Sequence, residues 1–271
     1  MRTLIHLSDL HFGRVEPALL APLTALVRQL APDVVVVSGD LTQRARSHEF
    51  RAARAFLDTL PGPQIVVPGN HDMPLYNVLG RFLAPLVKYR RHVSDNLEPE
   101  FVDAEIAVLG VNTARSLTFK DGRINRVQIE RLRTRLGNLD PALIKVIVTH
   151  HPFDLPSHFG PDNLVERAPL AMAMFARCGV DLLLAGHLHA SHAGNTAARY
   201  EIDGYAALMV QAGTATSTRG RGEANCFNLL RLEAGRIEVV RYGWCGAAFE
   251  ALGSESFERR GGIWSACPLP L

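Results

Sequence analysis

The sequence predicts an α/β fold built around a parallel sheet, and three features lead to that prediction. Short apolar runs at 3–7, 34–37 and 64–68 alternate with segments of helical periodicity. This alternation is typical of parallel strands joined by right-handed helical crossovers. The run 34–37 is four consecutive valines, which indicates a central strand buried on both faces. Each of the three runs ends in a polar motif, and ligands bind at that edge of such sheets.

Composition places the chain among globular proteins and excludes several function classes. It has 271 residues, 47% of them hydrophobic, which is enough for a large core. A formal net charge of +2 is too balanced to indicate nucleic acid, so we expect no nucleic acid polymer as a partner. The four cysteines show no CxxC spacing, and we interpret them as free thiols in a reducing compartment.

Targeting features are also missing from the sequence. No apolar run approaches the ~20 residues that a membrane-spanning helix needs. A signal peptide would have to remove the polar motif at Ser8-Asp9, so we expect a cytoplasmic protein.

The remaining elements continue the alternation and then change in character. Further strands are predicted at 106–111, 143–148 and 180–184. Leucine spacing predicts a helix over 19–30, and a second helix is predicted to begin near Ser47. A capping box at Asn125 and Gln128 predicts the start of a third helix, and Gly179 predicts the end of a fourth. The runs 198–203, 206–211, 225–232 and 236–242 predict consecutive antiparallel strands. We therefore predict a single domain over 1–246 and an irregular tail over 247–271.

Segment 75–91 is the least regular part of the chain. Its apolar stretch, 75–87, follows Pro74, contains Pro85 and is followed by Lys88, Arg90 and Arg91. One interpretation is a helix packed on the sheet with a solvated basic end. The other is a helical cap whose basic, apolar surface makes peripheral contact with a membrane or a lipid.

Eight polar residues gather at the predicted strand ends: Asp9, His11, Asp40, Asn70, His71, His150, His187 and His189. Because unpaired polar groups at buried strand ends are costly, folding alone does not explain so many. Carboxylates, an amide and imidazoles without a thiolate suit Mn, Fe, Zn, Co or Ni. The set is too large for one ion. Two ions need a bridging carboxylate, and Asp40, isolated between the other motifs, is the natural bridge.

In order, the motifs are Asp9-x-His11, Gly39-Asp40, Gly69-Asn70-His71-Asp72, His150-x-Pro152 and Gly186-His187-x-His189. As a set they resemble the calcineurin-like metallophosphoesterases. The resemblance implies a four-layer α/β/β/α sandwich with two mixed β-sheets. It also implies two divalent transition-metal ions, chosen from Mn, Fe, Zn or Co, as cofactors.

The resemblance further assigns roles to the residues. Asp9, His11 and His189 would hold the first ion, Asn70, His150 and His187 the second, and Asp40 would bridge them. His71 would be catalytic rather than a ligand, polarising a phosphate oxygen and helping the leaving group depart. His150 is chosen over His151 because the family ligand stands two residues before the proline.

Gly39-Asp40-Leu41-Thr42 and Gly69-Asn70-His71-Asp72 look most like class III cyclic nucleotide phosphodiesterases and the related glycerophosphodiesterases. Two divalent ions bring four positive charges, and two carboxylates with a bridging hydroxide remove three. About one positive charge remains, which matches a singly charged diester. We therefore predict hydrolysis of a small-molecule phosphodiester by attack of the bridging hydroxide.

Two other functions stay open. One is hydrolysis of a lipid-linked diester or pyrophosphate, as in UDP-diacylglucosamine pyrophosphohydrolases, and segment 75–91 is the reason to consider it. The other is a non-catalytic scaffold, although such relatives usually lose ligands and this chain keeps all of them. The sequence does not fix the oligomeric state, and a homodimer is one candidate.

Several residues around the motifs are candidates for secondary roles. Asn112, Arg115, Arg219 and Arg221 are predicted substrate contacts. Asp72 either orients His71 or caps a helix that starts near Pro74.

Overall fold

A computed structural model of the chain describes residues 1–75, 77–116, 121–156, 160–220 and 222–268. Its strands are β1 (Arg2–Leu7), β2 (Val34–Ser38), β3 (Gln64–Val67), β4 (Glu100–Val102), β5 (Ile106–Gly110), β6 (Ile144–Val148), β7 (Leu182–Ala185), β8 (His192–Asn195), β9 (Leu208–Gln211), β10 (Cys226–Glu233), β11 (Arg236–Trp244), β12 (Phe249–Arg260) and β13 (Ile263–Ala266). Its helices are α1 (Leu20–Leu30), α2 (Ser47–Leu57), α3 (Val78–Leu83), α4 (Val87–His92), α5 (Arg126–Gly137) and α6 (Ala168–Cys178).

The strands form two mixed sheets. The seven-stranded sheet has the order β13-β12-β11-β10-β1-β2-β3, and the six-stranded sheet has the order β4-β5-β6-β7-β9-β8. Strands β1, β2 and β3 are parallel, as are β5, β6, β7 and β9. The parallel core predicted from the alternating runs is therefore confirmed, and antiparallel strands flank it in both sheets.

Three hydrophobic clusters show that these elements form four layers. Because side chains alternate along a strand, Val34 and Val36 point into a cluster shared by the two sheets, whereas Val35 and Val37 face the helices. Helices α1, α2 and α4 cover the outer face of the seven-stranded sheet. Helices α5 and α6 cover the outer face of the six-stranded sheet. The predicted α/β/β/α sandwich is confirmed.

Local signals placed the long helices correctly. Asn125 Oδ1 accepts a hydrogen bond from Gln128 N at 2.8 Å, so the predicted capping box opens α5. Gly179 ends α6 in a left-handed conformation. None of the helices in the described ranges has the length and apolarity needed to cross a bilayer. All four cysteines are free thiols, as predicted.

Three predictions about the C-terminal half are wrong. Over 198–203, where a strand was predicted, the chain forms no strand. A 3-10 turn, Thr196–Ala198, ends at the first residue of this range. Strand β9 does not pair with β10 as an antiparallel run requires; it lies in the other sheet, parallel to β7 and antiparallel to β8. The expected irregular tail over 247–271 contains β12 and β13, which extend the seven-stranded sheet beyond β11 and bury Phe257 and Trp264. Residues 269–271 lie outside the described ranges.

Candidate metal centre

Parallel strands from both sheets bring the predicted motifs to one edge of the sandwich. Asp9 and His11 follow β1, Asp40 follows β2, and Asn70 begins a 3-10 turn after β3. His150 follows β6, and His187 with His189 follows β7.

The backbone at this edge is unusual. Five of the seven predicted metal ligands have positive φ angles, between 48° and 72°: Asp9, His11, Asp40, His187 and His189. A left-handed backbone at a residue other than glycine costs about 1–3 kcal/mol and is concentrated at functional sites. The fold thus holds these side chains in strained turns that aim them at one another.

The first cluster combines two carboxylates and two imidazoles, all buried. His11 Nε2 lies 3.5 Å from Asp9 Oδ1 and 3.7 Å from Asp40 Oδ2. His189 Nε2 lies 3.2 Å from Asp9 Oδ1 and 3.0 Å from His11 Nε2. The four ligand atoms lie within 4.8 Å of one another, so these four side chains could hold one metal ion.

The second cluster lies on the other side of Asp40. Asp40 Oδ1 is 3.4 Å from His150 Nε2, and Asn70 Oδ1 is 3.0 Å from the same nitrogen. His187 Nδ1 lies 3.1 Å from Asn70 Oδ1. The two oxygens of Asp40 therefore face different clusters, and Oδ1 also accepts a hydrogen bond from His71 N at 2.8 Å. A carboxylate placed between two clusters in this way could bridge two ions.

His151 also lies close to the second cluster. Its ligand nitrogen falls within 4.8 Å of those of His150 and His187. However, the structure pairs His150, and not His151, with Asn70 and Asp40. A hydrogen bond of 2.9 Å joins His151 Nδ1 to Thr113 Oγ1, so this ring is held beside the cluster.

Two observations fit bound cations. Asp9 Oδ2 accepts from Ser8 Oγ and from His187 N. Asp9 Oδ1 is buried and accepts no hydrogen bond of good geometry, and its neighbours are the Nε2 atoms of His11 and His189. A buried carboxylate oxygen among imidazole nitrogens is stabilised when a cation binds there. A Cβ atom on Gly69 would overlap the Asp40 carboxylate, and one on Gly186 would overlap Ser8 and Asp9. Only glycine lets the backbone pack this closely around the ligands.

Backbone carbonyls fix the Nδ1 atoms of two proposed ligands, His150 and His189. His150 Nδ1 donates to Ser38 O at 2.8 Å, and His189 Nδ1 donates to Arg219 O at 3.0 Å. Such outer contacts fix the tautomer and ring orientation of a metal-binding histidine. In both residues Nε2 is therefore the nitrogen presented to the cluster.

Strong electrostatic coupling marks the clusters. Burial alone would raise the pKa of Asp40, but His150, His71 and His11 together outweigh burial and hold that pKa well below its usual range. Burial opposes a charged His150, yet the negative charge of Asp40 raises the pKa of His150 to about 9. Burial, reinforced by the charge of His150, lowers the pKa of His187 to about 3. Perturbed groups of this kind are concentrated at functional sites.

His71 lies beside the clusters and belongs to neither. Its Nδ1 donates to the carbonyl of Gln43 at 2.9 Å, since a carbonyl oxygen can only accept. Its Nε2 lies 3.0 Å from Arg219 Nη1 and accepts from that guanidinium. The ring packs edge-on against His11, with centroids 4.9 Å apart. His71 is thus held at the rim of the first cluster by a backbone carbonyl, not by Asp72.

Asp72 has a structural role that differs from both predictions. Its carboxylate accepts from Gly69 N, Leu41 N and Thr42 N at 2.9–3.1 Å, and from Thr42 Oγ1 at 3.0 Å. It therefore joins the motif after β2 to the motif after β3 and closes the 3-10 turn Asn70–Asp72, whereas the described helix that follows, α3, begins at Val78 with Asn77 as its N-cap. Burial, with the nearby charge of Asp40, raises the pKa of Asp72 to about 7, against the opposing effect of these hydrogen bonds.

The loop after β9 also builds the site, and sequence reasoning missed it apart from Arg219 and Arg221. Thr214 Oγ1 donates to Asp9 O at 2.7 Å, and Thr216 Oγ1 donates to Leu10 O at 2.9 Å. Ala215 N donates to Ser8 O at 3.1 Å. Loop 214–219 is therefore tied to the loop that carries Asp9 and His11. A run rich in hydroxyl residues immediately after a strand is the signal that could have identified it.

Among the other predicted substrate contacts, the described pair Asn112 and Arg115 bond to neighbouring backbone and to α5. The Arg115 guanidinium donates to the carbonyls of Asn112 and Ala114 and to the side chain of Gln128. Asn112 Oδ1 accepts from Ala114 N at 3.0 Å. Arg221 lies outside the described residues. For these three residues, contact with substrate stays a prediction.

Comparison with known proteins agrees with this geometry. The profile of a family described as Calcineurin-like phosphoesterase matches residues 2–191, which include every predicted ligand. The chain belongs to the calcineurin-like phosphoesterase family. The family resemblance read from the motifs is thereby confirmed.

Two curated relatives carry more specific names. A probable cyclic nucleotide phosphodiesterase from Synechococcus sp. is 27% identical over 168 residues, 60% of this chain and 60% of the relative. The glycerophosphodiester phosphodiesterase GpdQ of Enterobacter lignolyticus is 38% identical over 80 residues, 26% of this chain and 29% of the relative. The chain therefore aligns with less than two thirds of either relative. Both names agree with the subgroups that the motifs resemble.

Solved structures confirm the fold. A purple acid phosphatase from yellow lupin superposes with a TM-score of 0.72 at 12% identity, covering 100% of this chain and 57% of its own. A dimetal phosphatase from Danio rerio superposes with a TM-score of 0.67 at 15% identity, covering 93% and 98%.

Proposed function

We propose that the protein is a phosphodiesterase that works with two divalent metal ions, one in each cluster. The observation that carries this proposal is Asp40, whose two carboxylate oxygens face the two clusters. When bound, the ions would supply positive charge facing the phosphate and a nucleophile at neutral pH. Asp9, His11 and His189 would hold the first ion, and Asn70, His150 and His187 the second.

In this proposal His71 acts on the leaving group. It stands at the rim of the first cluster, and its Nδ1 is occupied by Gln43 O, so Nε2 is the nitrogen available to substrate. Once the Arg219 contact is released, Nε2 can take up a proton from solvent and give it to a departing alkoxide while Nδ1 keeps its own proton on Gln43 O, a contribution worth about 10²–10⁴ in rate. No residue of the chain needs to form a covalent intermediate.

Diesters are proposed as substrates because both curated relatives are named phosphodiesterases. Cyclic nucleotides and glycerophosphodiesters are the first candidates by the same reasoning. The test is a panel of substrates assayed with Mn, Fe, Zn and Co: cyclic nucleotides, glycerophosphodiesters, nucleotide-lipid pyrophosphates and monoesters. Metal-dependent diester turnover that exceeds monoester turnover supports the proposal. Turnover of monoesters alone would refute it.

A lipid-linked diester or pyrophosphate is the second candidate, and an exposed apolar surface favours it. Leu79, Phe82, Leu83 and Val87 are 48–75% exposed, and they lie on or beside α3 and α4. Leu83 and Val87 also line a cavity of about 480 Å³ that reaches Asn112 and Met73, the residue directly after the Gly69-Asn70-His71-Asp72 motif. Exposed Arg90 and Arg91 follow directly, so an anionic lipid surface would fit this region.

The double substitution of Phe82 and Leu83 by serine distinguishes the two candidates. For a lipid substrate, the wild type should work faster on detergent-dispersed or liposomal substrate, and the variant should lose that advantage while keeping activity on bis(p-nitrophenyl) phosphate. For a soluble substrate, liposomes change neither protein. Leu170→Ser, an exposed leucine on α6, is the matched control.

A further inference from the structure

Arg219 connects the two functional parts of the site. Its carbonyl accepts from the first-cluster histidine, His189 Nδ1, at 3.0 Å. Its guanidinium Nη1 donates to Nε2 of His71 at 3.0 Å. One residue thus supports a proposed metal ligand through its backbone and contacts the proposed catalytic imidazole through its side chain.

Hydrogen bonds fix the backbone of Arg219. Its guanidinium, in contrast, contacts His71 Nε2, the nitrogen that the substrate must reach. Arg219 N donates to Ser217 Oγ at 3.1 Å, and Ser217 N donates to Thr214 Oγ1 at 3.2 Å. Thr214 in turn is bonded to the backbone of Asp9. These contacts set the position of Arg219 relative to the first cluster without involving its guanidinium.

The contact with His71 cannot persist during the proposed reaction. Nε2 is the nitrogen that would face the leaving oxygen, because Nδ1 is bonded to Gln43 O. An imidazole nitrogen makes one in-plane hydrogen bond, so Nε2 cannot contact the guanidinium and the leaving oxygen at the same time. When the leaving oxygen approaches Nε2, the guanidinium must find another acceptor. The nearest incoming acceptor is the phosphate itself, and planar guanidinium groups bind phosphate oxygens by paired, charge-assisted hydrogen bonds.

We infer that Arg219 binds a non-bridging phosphate oxygen of the substrate, exchanging His71 Nε2 for the phosphate when substrate enters. The inference rests on the proposed function, since it takes a phosphate ester as the ligand. It adds a phosphate-binding residue that comes from the loop after β9 and from none of the five motifs. In the free protein the guanidinium donates to His71 Nε2, and in the complex it would donate to a phosphate oxygen instead.

The test measures binding of inorganic phosphate to the Mn²⁺-loaded protein by calorimetry, and kinetics on bis(p-nitrophenyl) phosphate. Because a charge-assisted hydrogen bond is lost, Arg219→Gln should weaken phosphate binding by about 10- to 100-fold and raise KM in parallel. kcat should fall by less, since the guanidinium binds the ground state as well as the transition state. Arg219→Lys, which keeps the charge but not the fork, should give intermediate values. Metal content should match the wild type in both variants, because the carbonyl that holds His189 remains.

Arg177→Gln is the matched control. This exposed arginine lies at the C-terminal end of α6, at the opposite end of the six-stranded sheet, and it should leave all these values unchanged. If Arg219 only positions His71, kcat falls in Arg219→Gln while phosphate affinity stays at the wild-type value, and that result overturns the inference. Failure of the wild type to bind phosphate overturns it as well. A wild type that binds phosphate but hydrolyses no diester contradicts the proposed function. In that case the phosphate affinities of the wild type and of Arg219→Gln still decide the role of Arg219.

Discussion

Replacement of Asp40 by asparagine perturbs both clusters at once while keeping the shape of the side chain. Asp40 Oδ1 lies 3.4 Å from His150 Nε2, and Oδ2 lies 3.7 Å from His11 Nε2. Asparagine keeps one oxygen and replaces the other by a donor, and it removes the negative charge. Whichever way the amide is oriented, one cluster loses a ligand and both lose the charge. We therefore expect both sites to lose metal together.

The size of the effect follows from these distances. A unit charge about 4 Å from another contributes about 4 kcal/mol at an effective dielectric constant of about 20. A coordinated ion would lie closer and carries two charges, so this value is a lower limit for each site. Since about 1.4 kcal/mol corresponds to a tenfold change in affinity, metal binding should weaken by at least about a thousandfold.

The assay is metal analysis of proteins equilibrated with micromolar Mn²⁺ and freed of excess by gel filtration. Wild type should retain two equivalents and Asp40→Asn close to none, whereas Asn70→Ala should retain the first-cluster ion. Asp181→Asn is the control for loss of a buried carboxylate, because Asp181 is 3% exposed and lies at the start of β7, at the opposite sheet edge. If Asp40→Asn kept one full equivalent, Asp40 would serve one ion only, and the bridging argument would fail.

Three further predictions concern the same site. His71→Ala should keep its metal and lose about 10²–10⁴ in kcat on alkyl diesters, with a smaller loss on bis(p-nitrophenyl) phosphate because nitrophenolate needs little protonation; equal losses on both would exclude a role with the leaving group. Because Asp40 raises the pKa of His150 to about 9, metal must displace a proton below that pH, so affinity at the second cluster should rise about tenfold per pH unit up to pH 9 and then level off. Calorimetry in buffers of different ionisation enthalpy should detect the released proton, and a flat pH profile would contradict the pairing with Asp40. Gly186→Ala should lose the first-cluster metal because its Cβ would overlap Ser8 and Asp9, while Gly137→Ala, which meets open space, should bind metal normally.

The sequence predicted the parallel core of each sheet well, because those strands are buried on both faces and appear as continuous apolar runs. It failed where a strand depends on its neighbour. The strand 249–260 is exposed over most of its length, so no apolar pattern marks it, and it forms because β11 offers a free edge to pair with. The short strand β8 has the sequence HAGN, which carries no strand signal. Pairing of β9 with β7 depends on tertiary contacts that local sequence does not encode.

The predicted ligands came together because each one follows a parallel strand, and the carboxyl ends of those strands meet. What the sequence could not supply was the support around them. Asp9 and Asp40 have left-handed backbones, and the sequence does not predict this because only glycine marks such a conformation clearly. The hydrogen bond from His71 to Gln43 is made with a backbone carbonyl, which any residue could provide. The role of Asp72 likewise depends on amides from a distant loop.

The central claim is that two ions held around Asp40 carry out phosphodiester hydrolysis, and a titration of the metal-free protein tests it most directly. Mn²⁺ is added in steps, bound metal is measured, and the rate on bis(p-nitrophenyl) phosphate is recorded at each step. We predict that binding saturates at two equivalents per chain and that diester turnover appears as the second equivalent binds. Full activity at one equivalent, or turnover without metal, would contradict the claim.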